Sequence, residues 1–256
     1  MHRGQAAYAC LSHLSPPQPL LNTAQRSCTQ GDKSKADSLV VTSWNIDGLT
    51  FCGENKLESP GFSDQVLNRD VIFLCETHVR EQVIESSCLQ GYTCLGADGV
   101  KIKGINRGRL SNGMAFLVKT ALAPSSKLIR KSDFSLVLEI KLQSALDRLY
   151  IIGCYVPPEN SKYYDRDAWE NIRDLINEYS ALGKIILIGD FNARTECMQT
   201  NHLASMPREN QDLDKNKHGL QMIAVCCETK CTILNGATLG DRMGNYKYYN
   251  SSGGAP

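Results

Sequence analysis

Residues 183–195 read GKIILIGDFNART. Four consecutive apolar residues, 185–188, stand between Gly183 and Gly189, the pattern of a short strand buried on both faces. Such a strand is the stiffest platform a chain builds. Asp190 and Asn192 stand at its end, two residues apart, and in extended geometry they share a face. A carboxylate and an amide held together at a strand tip suit a metal ion or a phosphate. The same pair also closes a strand in an Asx turn.

Working outward, residues 165–182 carry a helical stripe of Trp169, Ile172, Leu175, Ile176 and Tyr179, with Asp165 near the N-cap. Before it, LYIIGCYV at 149–156 reads as another buried strand, stopped by Pro157 and Pro158, with Tyr155 at its tip. VIFLC at 71–75 repeats the opening pattern: a continuous apolar run that ends in an acid, Glu76, followed by Thr77 and His78. A buried carboxylate is costly unless paired or bound to a cation. Two acids that each end an apolar strand point to a shared cation, and a hard divalent ion such as Mg²⁺ takes carboxylate, water and phosphate oxygens. LVVTSWNI at 39–46 places Asn45 at a third strand end, before the turn signal Asp47-Gly48.

The remaining segments carry weaker patterns. Strands are expected over 113–118 and 136–142, the second with Leu136, Leu138, Ile140 and Leu142 on one face. Short helices are expected over 62–69 and 79–87, and the stretch through Gly91, Gly96 and Gly99 reads as loop. KIKGINRGR at 101–109 follows, with Lys101, Lys103, Arg107 and Arg109 and no acid: a solvated loop, or a phosphate contact beside the site. Residues 196–217 read as a long polar loop, 219–229 as a helix and 231–234 as a short strand. Residues 1–36, with SPPQP at 15–19, read as a disordered leader, or as sequence foreign to the domain.

Bulk composition excludes little. A chain of 256 residues at net charge +1, 42% hydrophobic and 21% charged, suits a globular domain and neither demands nor excludes a nucleic-acid partner. No apolar run approaches the roughly 18 residues of a membrane span, and the N-terminus lacks a signal pattern, so an intracellular protein is expected, nuclear if functional. Eleven cysteines form no CxxC pair, which disfavours structural zinc.

Asn45, Glu76, Tyr155, Asp190 and Asn192 thus all end strands, the way a pre-organised site is built. Phosphodiester hydrolysis suits them. A divalent ion on Glu76 polarises the phosphate, Asp190 orients or deprotonates the attacking water, and Asn45, Asn192 and Tyr155 hold phosphate oxygens. SWNIDGL, LCETH, CYVPP, LIGDFNART and LNGATLGDRMGN, in this order, resemble the endonuclease/exonuclease/phosphatase family. Within it, the resemblance is nearest to the endonuclease domain of LINE-type (non-LTR) retrotransposon proteins. SWNIDGL also resembles the tyrosyl-DNA phosphodiesterase branch. The resemblance covers about residues 38–252.

It implies a four-layer α/β sandwich, two mixed sheets flanked by helices, with the site at one rim. It implies Mg²⁺ or Mn²⁺ as cofactor and DNA as partner, with retroelement members nicking target DNA to prime reverse transcription. The family's metal-binding Glu falls on Glu76 and its Tyr on Tyr155. Its Asp and Asn of GD-x-N fall on Asp190 and Asn192, and its first Asn on Asn45. Asn45 and Asp190 join Glu76 as candidate metal ligands, and His78 falls on the family's ETH or ETK position. The family pattern continues into S-x-x-D-Y and a final Ser-Asp-His, whose His is base or phosphate partner. The sequence ends at Pro256, and none of His2, His13, His78, His202 and His218 stands in that context. The resemblance therefore implies a domain over 37–256 lacking its final strands, with one sheet exposing an apolar edge. Loss of a general acid or base costs about 10²–10⁴-fold. The rival readings are a non-catalytic remnant that binds nucleic acid weakly, and a tyrosyl-DNA-phosphodiesterase-like repair enzyme.

Overall fold

The computed structural model describes residues 10–11, 39–51, 53–59, 62, 69–80, 83–84, 89–97, 110–142, 147–198 and 208–237. Two mixed sheets and a small hairpin account for its strands. The smaller sheet has the order β2 (Val41–Asn45), β5 (Val71–Cys75), β7 (Met114–Lys119), β6 (Tyr92–Ala97), with β2 and β5 parallel. The larger has the order β12 (Thr232–Ile233), β1 (Cys10–Leu11), β11 (Lys184–Asp190), β10 (Arg148–Tyr155), β9 (Ser135–Lys141), β8 (Ser126–Lys131), with β10 and β11 parallel. The hairpin pairs β3 (Thr50–Phe51) with β4 (Glu54–Asn55). Two 13-residue helices, α1 (Ala168–Ser180) and α2 (Lys217–Thr229), cover the larger sheet.

The layers follow from where the apolar residues point. Val71, Phe73, Phe116, Leu136, Leu138, Ile140, Ile151 and Ile188 form the core between the sheets. Phe73 and Phe116 meet with ring centroids 5.1 Å apart. A fully buried side chain of this size contributes about 1.5–3 kcal/mol. The approach there is close: a Cβ on Gly153 would lie 2.4 Å from the Phe73 ring. The helical stripe of α1 packs with Tyr150, Ile152, Leu187 and Val225 on the outer face of the larger sheet. Ile72, Leu74, Ala115 and Leu117 line the outer face of the smaller one, under Leu49, Leu57, Phe62 and Ile84. This is the α/β sandwich expected.

Several expectations change. Tyr92–Ala97, read as loop, is a strand paired along its length with β7. Ser126–Lys131 carries no apolar alternation yet forms the edge strand β8, which needs a partner on one side only. In β9 Leu136, Leu138 and Ile140 share the inner face as expected, and Val137 joins the outer core because both faces are covered. Leu142 lies beyond the strand and is exposed. Helix α1 begins at Ala168, and Asp165 accepts from the Asp167 N–H (2.9 Å) rather than capping the helix. Helix α2 begins two residues early, because Asn216 caps it by accepting from the Gly219 N–H.

Most of the helices expected over 62–69 and 79–87 lies outside the described residues. So does most of the 1–36 segment. Its Cys10–Leu11 pairs antiparallel with both β11 and β12, so β11 is paired on both sides.

Candidate active site

Three inward rows run out at one rim of the sandwich. Leu149 and Ile151 lead to Tyr155, Ile188 leads to Asp190, and Val41 leads to Asn45. The parallel register pairs Tyr155 with Asp190 in one sheet and Asn45 with Cys75, the residue before Glu76, in the other. Alternation does the rest: a residue two past an inward apolar residue also points inward, and here it is polar. Gly189 makes the approach of β11 to β10 possible. Its φ is +143°, and a Cβ there would lie 1.8 Å from the Cys154 carbonyl oxygen.

Asn45 joins the two sheets. Its Nδ2 donates to Asp190 Oδ2 (2.8 Å) and it also hydrogen-bonds Glu76, while its Oδ1 accepts from the Asp47 N–H (3.1 Å). Donors and acceptor therefore fix the amide's orientation. Burial works against ionisation of Glu76, but hydrogen bonds from His78, Tyr155 and Asn45 outweigh it and hold the carboxyl below its usual value. Asp190 shows the reverse balance. Burial raises it to about 6, against the opposing hydrogen bonds of Asn45 and the Asn192 N–H. Burial and the Glu76 charge push the Tyr155 phenol far up, so it stays a neutral donor. The Cys75 thiol beneath is likewise raised by burial and by the Asp190 and Glu76 charges, which keeps it out of thiolate chemistry.

Asp47, Glu76 and His78 each offer one donor atom within 4.8 Å of the others. His78 Nδ1 lies 2.9 Å from the Leu110 carbonyl oxygen, which can only accept, so Nδ1 is a donor and the ring is held in place. Nε2 faces the cluster, 3.6 Å from Glu76 Oε2. Two carboxylates and a pre-set imidazole fit a divalent cation.

These three donors stand on backbone that resists them. Asp47 (φ +45°), Glu76 (+55°) and His78 (+57°) are all left-handed, as is the neighbouring Asn112 (+59°). The left-handed region costs a residue with a Cβ about 1–2 kcal/mol. Main-chain hydrogen bonds hold it: Gly48 N to Glu76 O (2.6 Å), Leu49 N to Thr77 O (2.8 Å), Thr77 N to Gly113 O (3.1 Å) and His78 N to Asn112 O (2.8 Å).

The other side of the site is held by side chains. Asp190 Oδ1 accepts from the Asn192 N–H (3.0 Å), so the strand does close in an Asx turn. Asn192 is left-handed (φ +47°) and does not share an extended face with Asp190; its Nδ2 donates to the Val156 carbonyl oxygen (2.9 Å). Asn216 secures this turn from α2. Its Nδ2 donates to Asn192 O (2.8 Å), and its Oδ1 accepts from the N–H groups of Arg194 (3.0 Å) and Gly219 (2.8 Å). Trp169 stacks on Phe191 and donates to His218 Nδ1 (2.9 Å), whose Nε2 then donates to Pro157 O (3.1 Å).

Of the residues read from the sequence, Asn45, Glu76, His78, Tyr155 and Asp190 are brought together. Asn192 is adjacent, with its amide engaged on Val156. The basic residues Lys101, Lys103, Arg107 and Arg109 lie outside the described residues. Sequence reading missed Asp47, taken only as half of an Asp-Gly turn. Its signal is the mirrored pattern: Asn45-x-Asp47 at one strand end, Asp190-x-Asn192 at the other.

A family model described as the Endonuclease/Exonuclease/phosphatase family matches residues 42–253. No curated protein matches the sequence. Similar solved structures include the AP endonuclease LMAP from Leishmania major, 12% identical with a TM-score of 0.50, over 74% of this chain and 66% of that one. A 3′-5′ exonuclease from Neisseria meningitidis is 15% identical with a TM-score of 0.42, over 61% of this chain and 59% of that one. The endonuclease domain of TRAS1, a telomere-specific non-LTR retrotransposon, is 12% identical with a TM-score of 0.46, over 75% of this chain and 71% of that one. The chain thus spans less than two thirds of the Leishmania and Neisseria structures. No described helix is long and apolar enough to cross a membrane.

Proposed function

The chain belongs to the endonuclease/exonuclease/phosphatase family, and from that premise we propose that it hydrolyses phosphodiester bonds in DNA with a divalent cation, Mg²⁺ or Mn²⁺, as an endonuclease of the retrotransposon type. The observation that carries the reading is the joint at Asn45, which ties the Asp47–Glu76–His78 donors to the Asp190 carboxylate.

In this reading Asp47, Glu76 and His78 hold the cation, which when bound supplies Lewis-acid stabilisation to the phosphate and the leaving oxygen. Asp190 accepts the proton of the attacking water. A carboxylate raised to about 6 is a better base near neutrality than one at 3.8. The Asn45 amide and the neutral Tyr155 phenol, each giving up its hydrogen bond to Glu76, donate to phosphate oxygens as their charge grows. Asn192 fixes the tip of β10 through Val156, and the basic segment 101–109 is the proposed contact to the DNA backbone.

Supercoiled plasmid with Mg²⁺ tests this. The chain is expected to produce nicked circles, and Glu76→Ala and Asp190→Ala to lower the rate by about 10²–10⁴-fold. No nicking above the Glu76→Ala background would sink the proposal. Cleavage of a 5′-phosphotyrosyl oligonucleotide without plasmid nicking would favour the repair reading instead.

A further inference from the structure

Asp47 is the donor whose backbone is least explained by the sheets. It lies beyond the end of β2, is left-handed, and precedes Gly48 at φ +90°. The carbonyl groups on either side of its Cα, those of Ile46 and Asp47, both point at one ammonium. Lys56 Nζ donates to Ile46 O (2.5 Å) and to Asp47 O (3.0 Å). The lysine comes from a rooted position. It opens the 3₁₀ turn Lys56–Glu58, its own N–H donates to Leu49 O (2.9 Å), and Asn55 caps the turn by accepting from the Leu57 N–H (3.0 Å). Leu57 is fully buried in the outer core of the smaller sheet. A fixed cation thus grips two consecutive carbonyl groups and sets the bend that aims the Asp47 carboxylate at Glu76 and His78.

We propose that Lys56 is a positioning residue for the cation site, acting through the main chain of Asp47. The proposal rests on the metal reading given above. Its sign separates it from simple electrostatics. A lysine beside a cation site repels the incoming ion, so losing only its charge would tighten metal binding. Losing its grip on the two carbonyl groups lets Asp47 leave its left-handed bend and weakens binding. Supporting groups of this kind are worth about 10–100-fold in metal affinity.

Mn²⁺ titration of the full chain, read from the EPR signal of the free ion, tests this without any assay of activity. Lys56→Met is expected to weaken Mn²⁺ binding at least about 10-fold. Its metal-free melting temperature should stay near wild type. Lys56→Arg, which keeps a cationic donor, is expected to restore most of the affinity. Binding by Lys56→Met as tight as wild type, or tighter, would overturn the proposal. So would failure of Lys56→Met to fold, which would assign the lysine to the fold. A wild-type chain that takes up no Mn²⁺ would overturn the metal reading itself. That result differs from a wild type and a Lys56→Met that bind alike.

Discussion

The two sides of the site are built by different means. The side carried by the smaller sheet, Asp47, Glu76 and His78, is partly exposed, and all three residues have left-handed backbone held by main-chain hydrogen bonds. The side carried by the larger sheet, Tyr155 and Asp190, is buried on regular strands, and its turn is fixed by the Asn192 and Asn216 side chains. The first presents converging donors on a strained frame, which suits an ion that repays the strain. The second keeps a carboxyl near neutrality and a phenol protonated, which suits moving and donating protons. Asn45 is the bridge, with hydrogen bonds to Asp190 and Glu76.

The larger of two expected effects sharpens this contrast through pH. Asp190 has its folded pKa raised, to about 6 from 3.8. Its contribution to stability is therefore fully present below about pH 3.8 and is lost as the pH rises through 6. The loss is on the order of 3 kcal/mol in the metal-free chain. Glu76, whose pKa is lowered, acts oppositely: its contribution is present above its unfolded value and is lost as the pH falls. Urea unfolding from pH 4.5 to 7 should show a declining stability in wild type that flattens in Asp190→Asn. An equal slope in both would mean that Asp190 is not held in a raised state.

The smaller effect concerns support. Asn216→Ala removes the cap of α2 and the bond to Asn192 O, and should cost about 1–2 kcal/mol in the urea midpoint. Because Asn216 serves only the larger-sheet side, Mn²⁺ affinity should be unchanged. A parallel loss of Mn²⁺ binding would erase the distinction between the sides.

How much of this was legible follows from the same physics. Val71–Cys75, Arg148–Tyr155 and Lys184–Asp190 are central strands buried on both faces, so they are continuous apolar runs, and their tips were legible with them. Tyr92–Ala97 was not, because Gly91 and Gly96 read as loop while the pairing that orders the strand comes from β7. Ser126–Lys131 is an edge strand of mixed polarity, which tertiary pairing decides. At the site, Asn45, Glu76, Tyr155 and Asp190 were visible as polar ends of apolar strands. Asp47 was not, since its turn signal is genuine: φ values of +45° and +90° at Asp47 and Gly48 are what Asp-Gly favours. Sequence shows that a turn is there; its carboxylate is aimed by long-range hydrogen bonds, those to Glu76 and Thr77 together with those from Lys56.

The division of the site is tested most directly by one titration, Mn²⁺ binding to Asp47→Ala and Asp190→Ala side by side. With the cation on the smaller-sheet side, Asp47→Ala loses Mn²⁺ affinity by about 10-fold or more, while Asp190→Ala binds within about 3-fold of wild type. Equal losses in the two variants, or a loss confined to Asp190→Ala, would contradict it.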